Sequence, residues 1–291
     1  MEQRTIKHID TPHGHQGFLG VGHTAKALID GKDFAHTDPF ILLMDDALNL
    51  PGGKPVGGAH PHAGFETVTL VLQGDEKDWH TGSLEIMTAG KGIIHTEEIA
   101  AKTNMHILQL WLALPPEKRW IEPSWQQILL EDVPTLKTDK AEIRVYSGSS
   151  NNLTSPLSNH TPLTLVDFRV EKNATITQQI PSTYNGFIYV LEGSVTIGET
   201  PIKYGQVAWL NEAKETGDTE IVFKTDEQGA RFVLYTAAPH HAPIVSYGPF
   251  IGNINRDIIR LYEEYHVGKM PHLNNLDESR KTWHRKVAEL S

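Results

Sequence analysis

The chain has 291 residues, of which 39% are hydrophobic and 21% charged, with a formal charge of −10 and no cysteine. That length supports one large domain or two ordinary ones, each with its own core, and two is the expectation. The acidic balance excludes a surface that tracks nucleic-acid phosphates, which needs clustered Lys and Arg, and the missing cysteines exclude disulfides, thiolate metal sites and cysteine nucleophiles.

No run approaches the length of a membrane span, and the start, MEQRTIKHIDTPHGHQG, lacks the apolar core of a signal peptide, so the expected location is the cytoplasm. Residues 1–46 read as short strands and loops, with GFLGVGHTAKALI and DPFILLMDDAL placing β-branched and aromatic residues between glycine, proline and aspartate. His13-Gly14-His15 reads as an exposed polar loop, because the intervening glycine relaxes any fixed face. Asp45-Asp46 reads as a strand-end turn. Residues 48–58, LNLPGGKPVGG, form a turn cluster whose glycines allow close backbone approach beside a pocket.

Residues 65–72 are a strand by composition, and GDEKDWHTG at 74–82 is a polar connection. AGKG before Ile93 is a tight turn. In NMHILQLWLAL, residues 104–114, His106, Leu108, Leu110 and Leu112 alternate with Ile107, Gln109, Trp111 and Ala113. This is a strand with one aliphatic face, ended by Pro115-Pro116, which cannot donate to a ladder. Residues 118–140 are proline-punctuated and read as the crossing between domains 1–138 and 139–291.

Beyond it, AEIRVYSG, LTLVDFRVE, ATITQQI, GFIYVLEGSVTIG, QVAWL, IVFKT and ARFVLYTAA follow at short spacing, the signature of a sandwich or barrel. GFIYVLEGSVTIG repeats the layout of residues 66–74, a weak internal repeat without the histidines. The period then changes: Ile254, Ile258, Leu261 and Tyr265 share a helical face, Asn255 is a candidate cap and Gly268 lies just past the end. Residues 271–291 are polar, with short helical potential around 280–290, and read as a docked or frayed terminus.

The chemistry concentrates in two pairs, His60-Pro61-His62 and His95-Thr96-Glu97. On a strand, residues i and i+2 face the same side, so each pair projects two ligands into one space. Adjacent strands lie ~4.8 Å apart, which lets the pairs converge on one ion at roughly 2.0–2.2 Å per ligand. Three imidazoles and a carboxylate suit Fe(II), Mn(II), Ni(II), Cu(II) or Zn(II). Glu66 shares the parity of His60 and His62, and Glu97 that of His95, so spacing alone leaves the acid ligand open between them. Neither a Gly-x-Ser-x-Gly elbow, a Walker loop, a dinucleotide fingerprint nor His-Glu-x-x-His is present.

These residues, HPHAGFETVT at 60–69, MTAGKGIIHTE at 87–97 and LQLW at 108–111, together with GFIYVLEG at 186–193 and Gly248-Pro249-Phe250, resemble the pirin family of the cupin superfamily. The resemblance implies an all-β fold of two cupin-type β-barrels (a bicupin) with a C-terminal helix, and a mononuclear iron in the first barrel only. It assigns the iron to His60, His62, His95 and Glu97, which leaves Glu66 to orient a ligand imidazole. Two departures stand out. Family members usually carry a longer segment between the motifs, with a His-x-Asp-Ser stretch, where this chain has only GDEKDWHTGSLEI; and Lys91 stands where arginine is common.

The resemblance implies an iron-dependent dioxygenase that opens a flavonol such as quercetin, a small aromatic substrate, with O2. Glu97 or Glu66 would then accept the substrate's proton, and Met87, Gln109 and Trp111 are candidates to line the pocket, weighed against a core role for Met87 and Trp111. The other expectation is a non-enzymatic, iron-dependent regulator that binds a protein partner, a transcription factor or metabolic enzyme, without direct contact to nucleic acid.

Overall fold

The computed structural model describes residues 1–74, 79–99 and 102–285. Residues 75–78, inside the short link between the two motifs, lie outside the described residues, as do 286–291, the end of the expected helical tail. The chain is mostly β and forms two compact units, Met1–Pro12 with Val133–Pro239, and His13–Asp132 with His240–Ser291. Both termini are therefore exchanged relative to a sequential division at 138.

The reasons are local. Strand Ile6–Asp10 pairs with Val207–Leu210. Helix Asn255–His266 buries Ile258 and Leu261 in a cluster with Ala63, Phe250 and Met270. Three of the four expected face residues, Ile258, Leu261 and Tyr265, pack there, whereas Ile254 is exposed and occupies the cap, and Asn255 is the first helical residue. The capping acceptor is the Asp257 carboxylate, which receives the backbone N–H groups of Asn253 at 2.8 Å and Ile254 at 3.1 Å. Gly268 closes the end at φ +71.

In the unit containing residues 133–239, a sheet recorded with nine strands surrounds a core of Ile143, Phe168, Ile188, Phe223 and Phe232. In the other unit, a sheet runs, in order, His15–Gln16, His23–Ile29, Phe40–Pro51, Lys102–Ala113, Phe65–Gln73, Leu84–Thr88, Ser124–Ile128 and Lys281–His284. A separate pair, Ala59–His62 with Ile93–Thr96, carries the two histidine motifs. Among the described residues, neither large sheet closes on itself by strand pairing.

Three expectations change. Residues 118–140 are not a bare crossing: Ser124–Ile128 joins the sheet, and Thr135–Lys137 joins that of the other unit. Its prolines mask a short strand that buries Trp125 and Gln127 on one face. Lys281–His284 is a strand parallel to Ser124–Ile128 rather than a helix, with Trp283 packed edge-on against Trp125 at 5.2 Å. Asp45 and Asp46 lie within strand Phe40–Pro51, where Asp45 pairs with His106 at 2.6 Å and Asp46 with His23 at 2.8 Å. His13 and His15 are exposed, and no helix among the described residues is long and apolar enough to cross a membrane.

Candidate metal centre

The antiparallel pair Ala59–His62/Ile93–Thr96 is short, and its register sets His60 directly opposite His95. Period-two alternation adds His62 to the same side. The ligating nitrogens of His60, His62 and His95 all lie within 4.8 Å of one another. Nε2 of His95 is 2.8 Å from Nε2 of His60, and the three ring centroids are 4.3–4.9 Å apart.

His60 Nδ1–H donates to the Gly58 carbonyl at 3.0 Å, a tautomer that leaves its Nε2 with a bare lone pair. Two imidazole nitrogens at 2.8 Å need a proton or a cation between them. Burial, then the neighbouring His60, depress His95 to about 3, so its doubly protonated form is disfavoured and the two nitrogens share either the N–H of a neutral tautomer or a cation. Burial, His95 and His60 likewise push His62 well below its usual range, against a small opposing effect of the Pro249 carbonyl. His62 Nδ1 is buried without a well-formed hydrogen bond. The desolvated imidazoles of His62 and His95, facing the half-buried His60, are a donor set that a transition-metal ion fits.

Glu97 follows the strand and turns its carboxylate toward the cluster, 3.6 Å from His60 Nε2 and 3.9 Å from His95 Nε2. Burial raises its pKa, opposed by the hydrogen bond from Gln109 and by His60. The Gln109 amide donates to Glu97 Oε1 at 2.9 Å and lies 3.3 Å from the Thr69 hydroxyl. Gly57, at φ +94, passes so close to the Glu97 carbonyl that any Cβ would collide with it. The glycine turn thus permits the close approach that seats Glu97.

Glu66 is fully buried on strand Phe65–Gln73, pairs with Leu112 and Thr88, and accepts a hydrogen bond from the Thr88 hydroxyl at 2.9 Å. Its neighbours Thr67 and Thr69 pair with Trp111 and Gln109. Alternation therefore puts Glu66 on the opposite face of the sheet from the residue that holds Glu97. Trp111 stacks on Phe65 at 4.3 Å and meets the His62 ring at 5.1 Å. Met87 is fully buried with Ala89, Ile93 and Trp125, a core position. Lys91 forms a half-exposed ion pair with Glu122 at 2.5 Å.

Two contributors escaped the sequence reading. His272 Nε2 meets the Thr96 hydroxyl at 2.9 Å and clamps the ligand strand from 176 residues away. Arg119 is wholly buried, and no motif marks it. Gln109→Leu is expected to weaken metal binding by roughly 10–100-fold, because it removes the amide that holds the Glu97 carboxylate while leaving the three imidazoles in place; metal titration monitored by competition with a chromogenic chelator reads it.

Residues 22–112 match the pirin family profile and residues 165–271 match the pirin C-terminal cupin domain. A pirin-like protein of Solanum lycopersicum is 32% identical over 281 residues, covering 92% of both chains. Among solved structures, GK1651 from Geobacillus kaustophilus is 33% identical with a TM-score of 0.74, covering 83% of this chain and 99% of that one. A quercetin 2,3-dioxygenase from Acinetobacter baumannii is 26% identical with a TM-score of 0.80, covering 92% and 98%. The shared profiles, the near full-length identity and the histidine-bearing strand pair together place this chain in the pirin family of the cupin superfamily.

Proposed function

We propose that His60, His62, His95 and Glu97 hold one divalent transition metal, Fe(II) ahead of Mn(II), Ni(II), Cu(II) or Zn(II), and that the protein is a dioxygenase acting on a flavonol such as quercetin. Each unit is read as a cupin-type barrel, with the metal in one of them. The observation that carries the proposal is the convergence of the buried His62 and His95 imidazoles with the half-buried His60, whose Nε2 lies 3.6 Å from the Glu97 carboxylate. The likeness to the Acinetobacter quercetin 2,3-dioxygenase supports the substrate class.

A metal held by His60, His62, His95 and Glu97 would supply Lewis acidity toward an enol oxygen. The chain's own residues do the rest. Gln109 fixes the Glu97 carboxylate, and Glu97 is the carboxylate placed to accept the substrate's hydroxyl proton. Trp111 and Phe65 form an apolar wall behind His62 that fixes its ring. Glu66 lies on the other face of the sheet from Gln109 and Thr69, which favours Glu97 for the proton transfer.

Protein purified without a histidine tag, stripped and reloaded with Fe(II) anaerobically, is expected on aeration to consume quercetin and O2 in equal amounts. Stoichiometric metal binding without turnover by any of the five metals would sink the dioxygenase reading. It would favour the metal-dependent regulator.

A further inference from the structure

A cavity of about 330 Å³ adjoins the cluster, lined by His95, Glu97, Trp125, Gln127, Lys281 and Trp283 among others. Its size suits a small organic ligand. All these residues belong to one unit, yet Lys281 and Trp283 lie beyond residue 271, where the C-terminal domain match ends. The segment is firmly tied down. Ile94 N–H donates to Pro271 O at 2.9 Å, His272 bonds Thr96, and Lys281–His284 lies parallel to Ser124–Ile128.

The register links this wall to the metal centre. Trp283 lies beside Gln127, Gln127 beside Glu85, Glu85 beside Thr69, and Thr69 beside Gln109. Cross-strand partners share a face, so these five side chains make one row across the sheet. Gln109, at the end of that row, holds Glu97. At its other end Trp283 is 48% exposed, resting edge-on on Trp125, an indole that is 8% exposed. An indole braced on one side and open on the other is a stacking surface.

The polar lining narrows the ligand. Glu85 and Glu98 line the cavity with Glu97, whereas the Lys281 ammonium is engaged by Glu278 at 2.9 Å. Carboxylates accept hydrogen bonds from hydroxyls and repel acids. We infer that the C-terminal segment is the ligand-selecting wall of the metal pocket, with Trp283 stacking the outer ring of a hydroxylated multi-ring aromatic whose inner oxygen points to the cluster. The inference rests on the metal site proposed above and adds the residues that choose its ligand.

The test compares two probes on Zn(II)-loaded protein, where binding is read by absorbance without oxidation: quercetin, and the single-ring enolone 3-hydroxy-4-pyranone. Trp283→Ala is expected to weaken quercetin binding about tenfold and Trp283→Phe by less than about threefold. Pyranone affinity and zinc content stay at wild-type values in both. Wild-type affinity of Trp283→Ala for quercetin overturns the inference and leaves the metal site standing. Equal losses for both probes also overturn it, since Trp283 would then support the cluster rather than select the ligand. If the wild type binds zinc but neither probe, the enol-binding reading falls, and this inference with it.

Discussion

His95→Ala is expected to abolish stoichiometric metal binding, lowering affinity by more than about 100-fold, because a lost ligand costs more than a lost supporting hydrogen bond. His95, the more deeply buried of the two histidines that meet every other candidate ligand, has Nε2 of His60 at 2.8 Å, the His62 ring at 4.9 Å and the Glu97 carboxylate at 3.9 Å. The apo fold should tolerate the change within about 1–2 kcal/mol, since the residue removed is a desolvated imidazole facing others of its kind. The decisive readout is the thermal shift. Metal at 100 times its dissociation constant stabilises a single-site protein by about 2.7 kcal/mol, and the variant should lose that increment, its midpoint being the same with and without metal. Two companions separate the acids: Glu97→Gln should lose most of the shift, whereas Glu66→Gln, altered on the far face of the sheet, should keep it. A full metal-induced shift in His95→Ala would remove this residue from the ligand set.

The histidines were readable because a ligand pair at i and i+2 is a local property of a strand. Glu66 and Glu97 were not separable on the same grounds, since each keeps parity with a histidine along its own segment. The distinction came from pairing across strands, where Thr69 faces Gln109 and leaves Glu66 on the other side. Helix Asn255–His266 showed itself through its apolar period, but its cap did not, because Asp257 reaches back to fill the role expected of Asn255. Strand Ser124–Ile128 was hidden by the flanking Pro123 and Pro134, and the exchange of termini by its dependence on partners some 200 residues away, as in Ile6 with Leu210. His272 and Trp283 belong to the same class: their roles follow from where a remote segment docks, which no window of sequence contains.

Arg119→Met is expected to destabilise the unit that carries the cluster by roughly 3–5 kcal/mol. The side chain is fully buried. Its Nη2 donates to Leu114 O at 2.9 Å, and its Nη1 to Gly252 O at 3.2 Å and to the Asn253 side-chain oxygen. Those acceptors come from the end of strand Lys102–Ala113 and from the turn just before helix Asn255–His266, so one guanidinium holds the helix entry to the sheet. Burial lowers its pKa to about 10, opposed by Asp257 and Asp38, and it therefore stays charged at neutral pH. Methionine keeps the apolar stem but strands two buried carbonyls, Leu114 O and Gly252 O, and releases the half-buried Asn253 side chain; each unpartnered buried group costs about 1–3 kcal/mol. Lysine restores the charge without the planar fork and should recover only part of the loss. The urea midpoint of the apo protein measures the loss, and amide exchange should accelerate first across residues 255–266. Because none of these hydrogen bonds touches His60, His62 or His95, folded Arg119→Met should bind metal at full stoichiometry. A midpoint equal to that of the wild type would mean that other donors reach these acceptors once the guanidinium is gone.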